Sequence, residues 1–222
     1  MSNKTTPYQI AIVGPSGKGK TMAFRNMNPE TTGFINMEGK PLPFLNKFKN
    51  YSVPNTWQEC YQKLIEYAKD SSITEVVLDS FSAYVDSLLS VARSTKKNYD
   101  IWNMYNDEIG KLLYLITKYP KDILITGHSS NVETDAGVEE RRIAVKGKEW
   151  NYAGVESKFT IVLFVDVMRD PVSGKANYIF ELNSDGRTSA KTPPIFIEEG
   201  EEHVENDANK FLKRVRDKLS NG

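Results

Sequence analysis

A single cysteine, Cys60, stands among 222 residues, so the chain can close no disulfide of its own and offers no cysteine-only zinc site. Two histidines, His128 and His203, add little metal-binding capacity. Charge of one sign is not in excess either: 29 Lys and Arg balance 29 Asp and Glu. That balance excludes a uniformly basic coat protein but leaves room for a local basic patch. No apolar run approaches the length of a membrane span. The polar opening, Met1-Ser2-Asn3-Lys4-Thr5-Thr6-Pro7, has no apolar signal core. Repeats and low-complexity tracts are missing too. The expectation is a reducing, cytosolic location, in a cell or in a phage-infected host. What is present, 39% hydrophobic and 26% charged residues, supplies one continuous core at a length suited to one large domain.

Strand-like and helix-like runs alternate along the first half of the chain. Apolar, β-branched stretches predict strands at 8–13, 33–37, 74–78 and 122–126. Helical spacing predicts helices over 56–69, 81–92 and 101–119, the last closed by Pro120. The pattern then changes. Residues 158–168 and 176–182 flank the turn Asp170-Pro171-Val172-Ser173-Gly174 and predict an antiparallel hairpin. Residues 194–197 suit a short strand, and 203–219 an amphipathic helix. Residues 129–148 show no periodicity and predict a long, functional or mobile loop. The fold class expected is α/β, a P-loop NTPase in one domain. It has a parallel nucleotide-binding core at 7–128, a mobile loop at 129–150, an antiparallel β extension at 151–200 and a last helix at 203–219.

Gly14-Pro15-Ser16-Gly17-Lys18-Gly19-Lys20-Thr21 fits the phosphate-binding pattern G-x-x-x-x-G-K-[ST] at every fixed position. It follows a strand and precedes a helix-compatible stretch. Glycines let backbone N–H groups turn toward phosphate oxygens, and a helix N-terminus adds positive potential. Lys20 then reaches the β- and γ-phosphates and the Thr21 hydroxyl ligates magnesium, while Lys18 faces solvent. The cofactors implied are ATP and Mg2+. A second acid has to hold the metal. Glu75-Val76-Val77-Leu78-Asp79-Ser80 is an apolar strand ending in Asp79, which suits a magnesium ligand acting through water. The bland alternative is that Asp79 caps the following helix, although Ser80 is better placed for that.

These segments resemble the RecA-type ATPase core from Tyr8 to about Ile197. The resemblance implies roles residue by residue. Glu38, in Phe34-Ile35-Asn36-Met37-Glu38, stands where the family has the acid that polarises the attacking water. His128, after Ile123-Leu124-Ile125-Thr126-Gly127, stands where a polar residue senses the γ-phosphate; RecA has glutamine there, and short phage single-strand-annealing or recombination ATPases have histidine. Lys191, in Thr188-Ser189-Ala190-Lys191, resembles the cation that such rings and filaments offer to the neighbouring subunit's nucleotide, although Pro193 replaces the second cation those families usually show. The resemblance also implies a homo-oligomer, ring or filament, with ATP sites between subunits and single-stranded DNA as partner. Two segments suit that partner. One is Arg93, Lys96 and Lys97 with Tyr99 and Trp102 close by, and the other is Arg141, Arg142, Lys146 and Lys148.

Other readings of the same residues stay open. Glu38, His128 and Lys191 are each compatible with an ordinary surface or strand-end position, Trp102 with the core, and both basic segments with a solvated face. A small P-loop nucleotide or metabolite kinase is the alternative function, with Arg141 and Arg142 as its lid. A switch that binds ATP without turnover is a third. A ParA-like ATPase is disfavoured, because its extra lysine falls where Pro15 stands.

Overall fold

The computed structural model describes residues 6–45, 48–133, 137–147, 150 and 154–220. At its centre is a sheet of eight strands: β1 (Gln9–Val13), β2 (Thr32–Asn36), β3 (Asn50–Ser52), β4 (Glu75–Asp79), β5 (Asp122–Gly127), β8 (Ile161–Arg169), β9 (Ala176–Glu181) and β10 (His203–Glu205). Their spatial order is β10-β9-β8-β1-β5-β4-β2-β3. The six strands from β8 to β3 run parallel, and β9 and β10 add an antiparallel edge. Strand β5 therefore lies between the strand feeding the phosphate loop and the strand ending in Asp79.

Apart from the edge strand β3, the parallel strands are mainly apolar runs buried on both faces, as a sheet covered by helices demands. Successive side chains alternate between two layers. Ala11 and Val13 join the cluster packed against α1 (Trp57–Lys69), α2 (Phe81–Thr95) and α3 (Tyr99–Thr117). Ile10 and Ile12 join the cluster packed against a 3-10 turn (Thr21–Phe24) and α4 (Ala208–Ser220). Hydroxyl caps start two of the helices: Thr56 Oγ1 accepts from the Glu59 N–H and Ser80 Oγ from the Ala83 N–H, each at 3.2 Å.

Helix α4 is tied to the sheet by charge as well as by Phe211, Leu212 and Val215. Arg216 donates to Glu75 Oε2 and to Asp122 Oδ2, both at 3.0 Å. Burial alone would raise the Glu75 carboxyl, but hydrogen bonds from Thr74, Thr32 and Arg216 outweigh it and hold the group below the usual glutamate range. We expect Arg216→Leu to destabilise the fold by about 1–3 kcal/mol. That is less than for a fully buried pair, because the Arg216 side chain is 43% exposed against 4% for Glu75. A depressed folded-state pKa contributes stability that is present above the unfolded-state value and lost as pH falls through the folded one. The deficit of the variant, read by urea titration, should therefore be largest at neutral pH and shrink in acid.

Several sequence expectations are corrected here. Residues 129–148 contain a β-hairpin, β6 (Ser129–Glu133) with β7 (Glu139–Ile143), rather than an irregular loop. Strand β8 is in parallel register with β1, so the parallel core continues past 128 and the antiparallel extension begins at β9. Residues 194–196 form a 3-10 turn, not a strand; Pro193 and Pro194 bring no N–H, and Phe196 N–H closes the turn on Pro193 O. Residues 203–205 are the edge strand β10, and α4 starts only at Ala208, after Asp207 Oδ1 accepts from Lys210 N–H at 3.1 Å. The stretch after Thr21 is a four-residue 3-10 turn instead of a helix. A helix dipole at the end of this loop is accordingly small.

Candidate nucleotide site

Ligands of open parallel sheets sit beyond the carboxyl ends of the strands, and the loop after β1 lies there. The Gly14 N–H donates to Gly127 O at 3.1 Å, which ties the loop to the end of β5. Gly17 and Gly19 have φ of 77° and 93°, conformations that glycine adopts without steric cost. Gly19 is also crowded: a Cβ there would lie 2.8 Å from Tyr178 Cδ1, on β9.

Lys20 is only 8% exposed. Its ammonium donates to the carbonyls of Gly14 and Pro15, both at 2.9 Å, and stands 3.4 Å from His128 Nδ1. Burial draws its pKa down, and the charges of Asp79 and Glu38 draw it back up in part. The next residue carries the chemistry onward. Thr21 Oγ1 donates to Asp79 Oδ2 at 2.8 Å, and the Thr126 hydroxyl donates to Asp79 Oδ1. Burial raises the Asp79 carboxyl above its ordinary value, against the pull of those two hydroxyls. Asp79 takes no part in capping α2, since Ser80 does that.

This donor set suits magnesium. It is hard and all-oxygen, a hydroxyl beside a carboxylate. Among the described residues no group of three or more His, Cys, Asp or Glu side chains gathers into a metal cage. An ion held by Thr21, and by Asp79 through water, would complete its shell from phosphate oxygens and water, which is how magnesium is usually bound in phosphate-transfer sites.

Glu38 approaches from the loop after β2. Ser80 Oγ donates to its Oε1 at 3.2 Å and Lys40 Nζ to its Oε2 at 2.9 Å. Burial pushes the Glu38 carboxyl up, but the hydrogen bond and charge of Lys40, the Ser80 bond and His128 together hold it below the usual range. His128 follows directly on β5; its N–H donates to Ser82 Oγ at 2.9 Å. Burial first, then the Lys20 charge, lowers its pKa. Because Lys20 can only donate, Nδ1 is the acceptor in their contact and the neutral ring keeps Nε2–H as a donor. Lys20, Thr21, Glu38, Lys40 and His128 line one cleft of about 290 Å³.

Other expected residues lie elsewhere. Lys18 is half-exposed and pairs with Asp166 at 3.3 Å. Lys191 bridges by its backbone to Val162, which is in register with Ala11. That places Lys191 about 10 Å below its own chain's phosphate loop, with Glu156 as its electrostatic partner. Arg93, Lys96 and Lys97 are exposed at the end of α2 and make no ion pair among the described residues. Arg141 lies over the Phe164 ring, 5.9 Å from its centroid; Arg142 pairs with Glu140 at 2.7 Å and Lys146 with Asp86 at 2.9 Å. Lys148 is outside the described residues. Sequence reasoning passed over Thr126, Lys40, Ser82 and Tyr178. Thr126 left a signal, a hydroxyl closing an apolar strand; Tyr178 left none.

Comparison with known proteins bears on the whole of this region. No curated protein matches the chain. Among solved structures, a KaiC-like protein from the hyperthermophilic archaeon Pyrococcus horikoshii OT3 is similar, with a TM-score of 0.48 and 13% identity over 80% of this chain and 78% of that one. The family model described as an AAA domain matches residues 6–193. That span takes in the phosphate loop, Glu38, Asp79 and His128, and the chain belongs to this AAA domain family, as a P-loop ATPase.

Proposed function

We propose that the chain is a magnesium-dependent ATPase that binds single-stranded DNA, of the phage recombination or annealing type. In this reading it works as a homo-oligomer whose ATP sites lie between subunits. Magnesium held at Thr21 and Asp79 would neutralise charge on the β- and γ-phosphates. Glu38 takes a proton from the attacking water as its oxygen bonds to phosphorus and the bond to the ADP oxygen breaks. His128 Nε2–H points a donor at the γ-phosphate, and Lys191 of a neighbouring subunit supplies the cation that this chain's own Lys191 is too distant to give.

One observation supports the DNA part most: the two basic segments meet. The Trp102 ring lies 3.7 Å from where a Cβ on Gly147 would be, Lys146 pairs with Asp86 of α2, and Trp150 Nε1 donates to Asn106 of α3 at 3.1 Å. Exposed cations with exposed aromatics such as Tyr99, 83% exposed, are what a stacked, charged strand requires. The hairpin β6–β7 also begins at Ser129, one residue beyond His128, so a change at His128 passes directly into the hairpin.

Binding to a fluorescent single strand in the presence of ATP should weaken as salt rises. Neutralising Arg93, Lys96 and Lys97 together should flatten the log–log slope by about 2, at roughly 0.7 per single-strand phosphate contact. Arg141, Arg142 and Lys146 already have protein partners and should matter less. A wild type with no affinity at low salt would refute the DNA reading.

A further inference from the structure

Beside the phosphate cleft lies a second cavity of about 730 Å³, and Met22 and Tyr178 line both. A triphosphate on the loop therefore has an adjoining space for the rest of the nucleotide. Arg25, Glu205 and Asn206 form part of its wall. Asn206 is 1% exposed, and neither Oδ1 nor Nδ2 of its side chain has a hydrogen-bond partner among the described residues. Its backbone, by contrast, is fixed. The N–H donates to Tyr178 O at 3.0 Å, and the carbonyl accepts from Arg25 Nη1. The amide also borders the phosphate loop, with Nδ2 3.5 Å from where a Cβ on Gly19 would stand.

Buried amides are normally paired, because an unmade hydrogen bond in the interior is costly. This one carries a donor and an acceptor side by side, on a rigid backbone, at the wall of a cavity that shares Met22 and Tyr178 with the phosphate cleft. A carboxamide of that kind matches the N6–H and N7 pair of adenine. Guanine shows two acceptors on the same edge, N7 and O6, so one amide atom is opposed however the side chain is turned.

We propose that Asn206 reads the base of the bound nucleotide and sets a preference for adenine, while Tyr178, 45% exposed, covers the ring face. The inference rests on the phosphate-loop reading and adds to it a residue that selects the base. Tyr178 contributes stacking, which every base accepts, so discrimination falls to Asn206.

The test is calorimetry of ATP, GTP and 7-deaza-ATP, each with magnesium, on the whole chain and on Asn206→Leu and Asn206→Asp. The wild type should favour ATP over GTP by roughly tenfold or more and should bind 7-deaza-ATP more weakly than ATP. In Asn206→Leu, ATP should fall to the level of GTP and the 7-deaza difference should vanish. Asn206→Asp keeps the shape but removes the donor, so it should erase the 7-deaza difference as well. If Asn206→Leu and Asn206→Asp weaken ATP and GTP by the same factor, or leave their ratio intact, Asn206 does not read the base, and the phosphate-loop reading survives. A wild type that binds no triphosphate overturns both.

Discussion

Glu38→Gln should leave ATP bound at near-normal affinity and lower turnover by roughly 10²–10⁴-fold. The amide keeps the length of the side chain and can still accept from Ser80, which donates at 3.2 Å, but it cannot take a proton. The carboxylate it replaces is unusual in one respect. Lys40, on the same loop, pairs with it at 2.9 Å and helps hold its pKa below the usual glutamate range. A base kept below its usual range is ionised over a wider span of pH but is intrinsically weaker. The acid limb of the pH–rate profile should therefore lie below the ordinary glutamate pKa. Lys40→Ala should move that limb upward, because the cation that stabilises the charged form is gone. Steady-state ATPase rates across pH, beside ATP affinity, check all of this. A Glu38→Gln protein that hydrolyses ATP at the wild-type rate would remove Glu38 from the chemistry.

The parts of this site that could be read from the chain are those whose geometry is local. The phosphate loop is eight consecutive residues, and its glycines serve the same turn in any surroundings. Asp79 ends an apolar run, where a metal ligand is expected, and His128 is marked by the resemblance of the next such strand to the RecA-type core. Thr126 carries a similar signal two residues before His128 and was passed over. What escaped depends on pairing across the chain. The run Ile161-Val162-Leu163-Phe164-Val165 is buried on both faces, the mark of a parallel strand, yet nothing in it names β1 as the partner. The hairpin β6–β7 hid for the opposite reason. Apart from Ile143 its residues touch solvent, so no apolar alternation betrays it. In 203–219 helical spacing ran through Val204, but pairing with β9 claimed 203–205 for the sheet. Tyr178 and Asn206 lie far from the phosphate loop in sequence, and only the fold brings them beside Gly19.

Lys20→Ala should weaken ATP binding by roughly 30- to 5000-fold, the range for removing one side of a buried charge contact, about 2–5 kcal/mol. Lys20 Nζ is held by the Gly14 and Pro15 carbonyls and by His128, and Asp79 and Glu38 act on it electrostatically. It is thus the cation on which the acids and the histidine of the site converge. Its removal costs more than one phosphate contact. Asp79, already raised by burial, loses a charge that favours its ionised form, so magnesium should compete less well for it at lower pH. The affinity deficit should accordingly grow as pH falls. Lys20→Arg should not restore binding, because a planar guanidinium cannot replace a compact ammonium between two carbonyls of the same tight loop. The measurement is ATP calorimetry at several pH values, with urea titration to show that the variant is folded. A folded Lys20→Ala protein with wild-type ATP affinity would mean that the phosphates are held somewhere other than this loop.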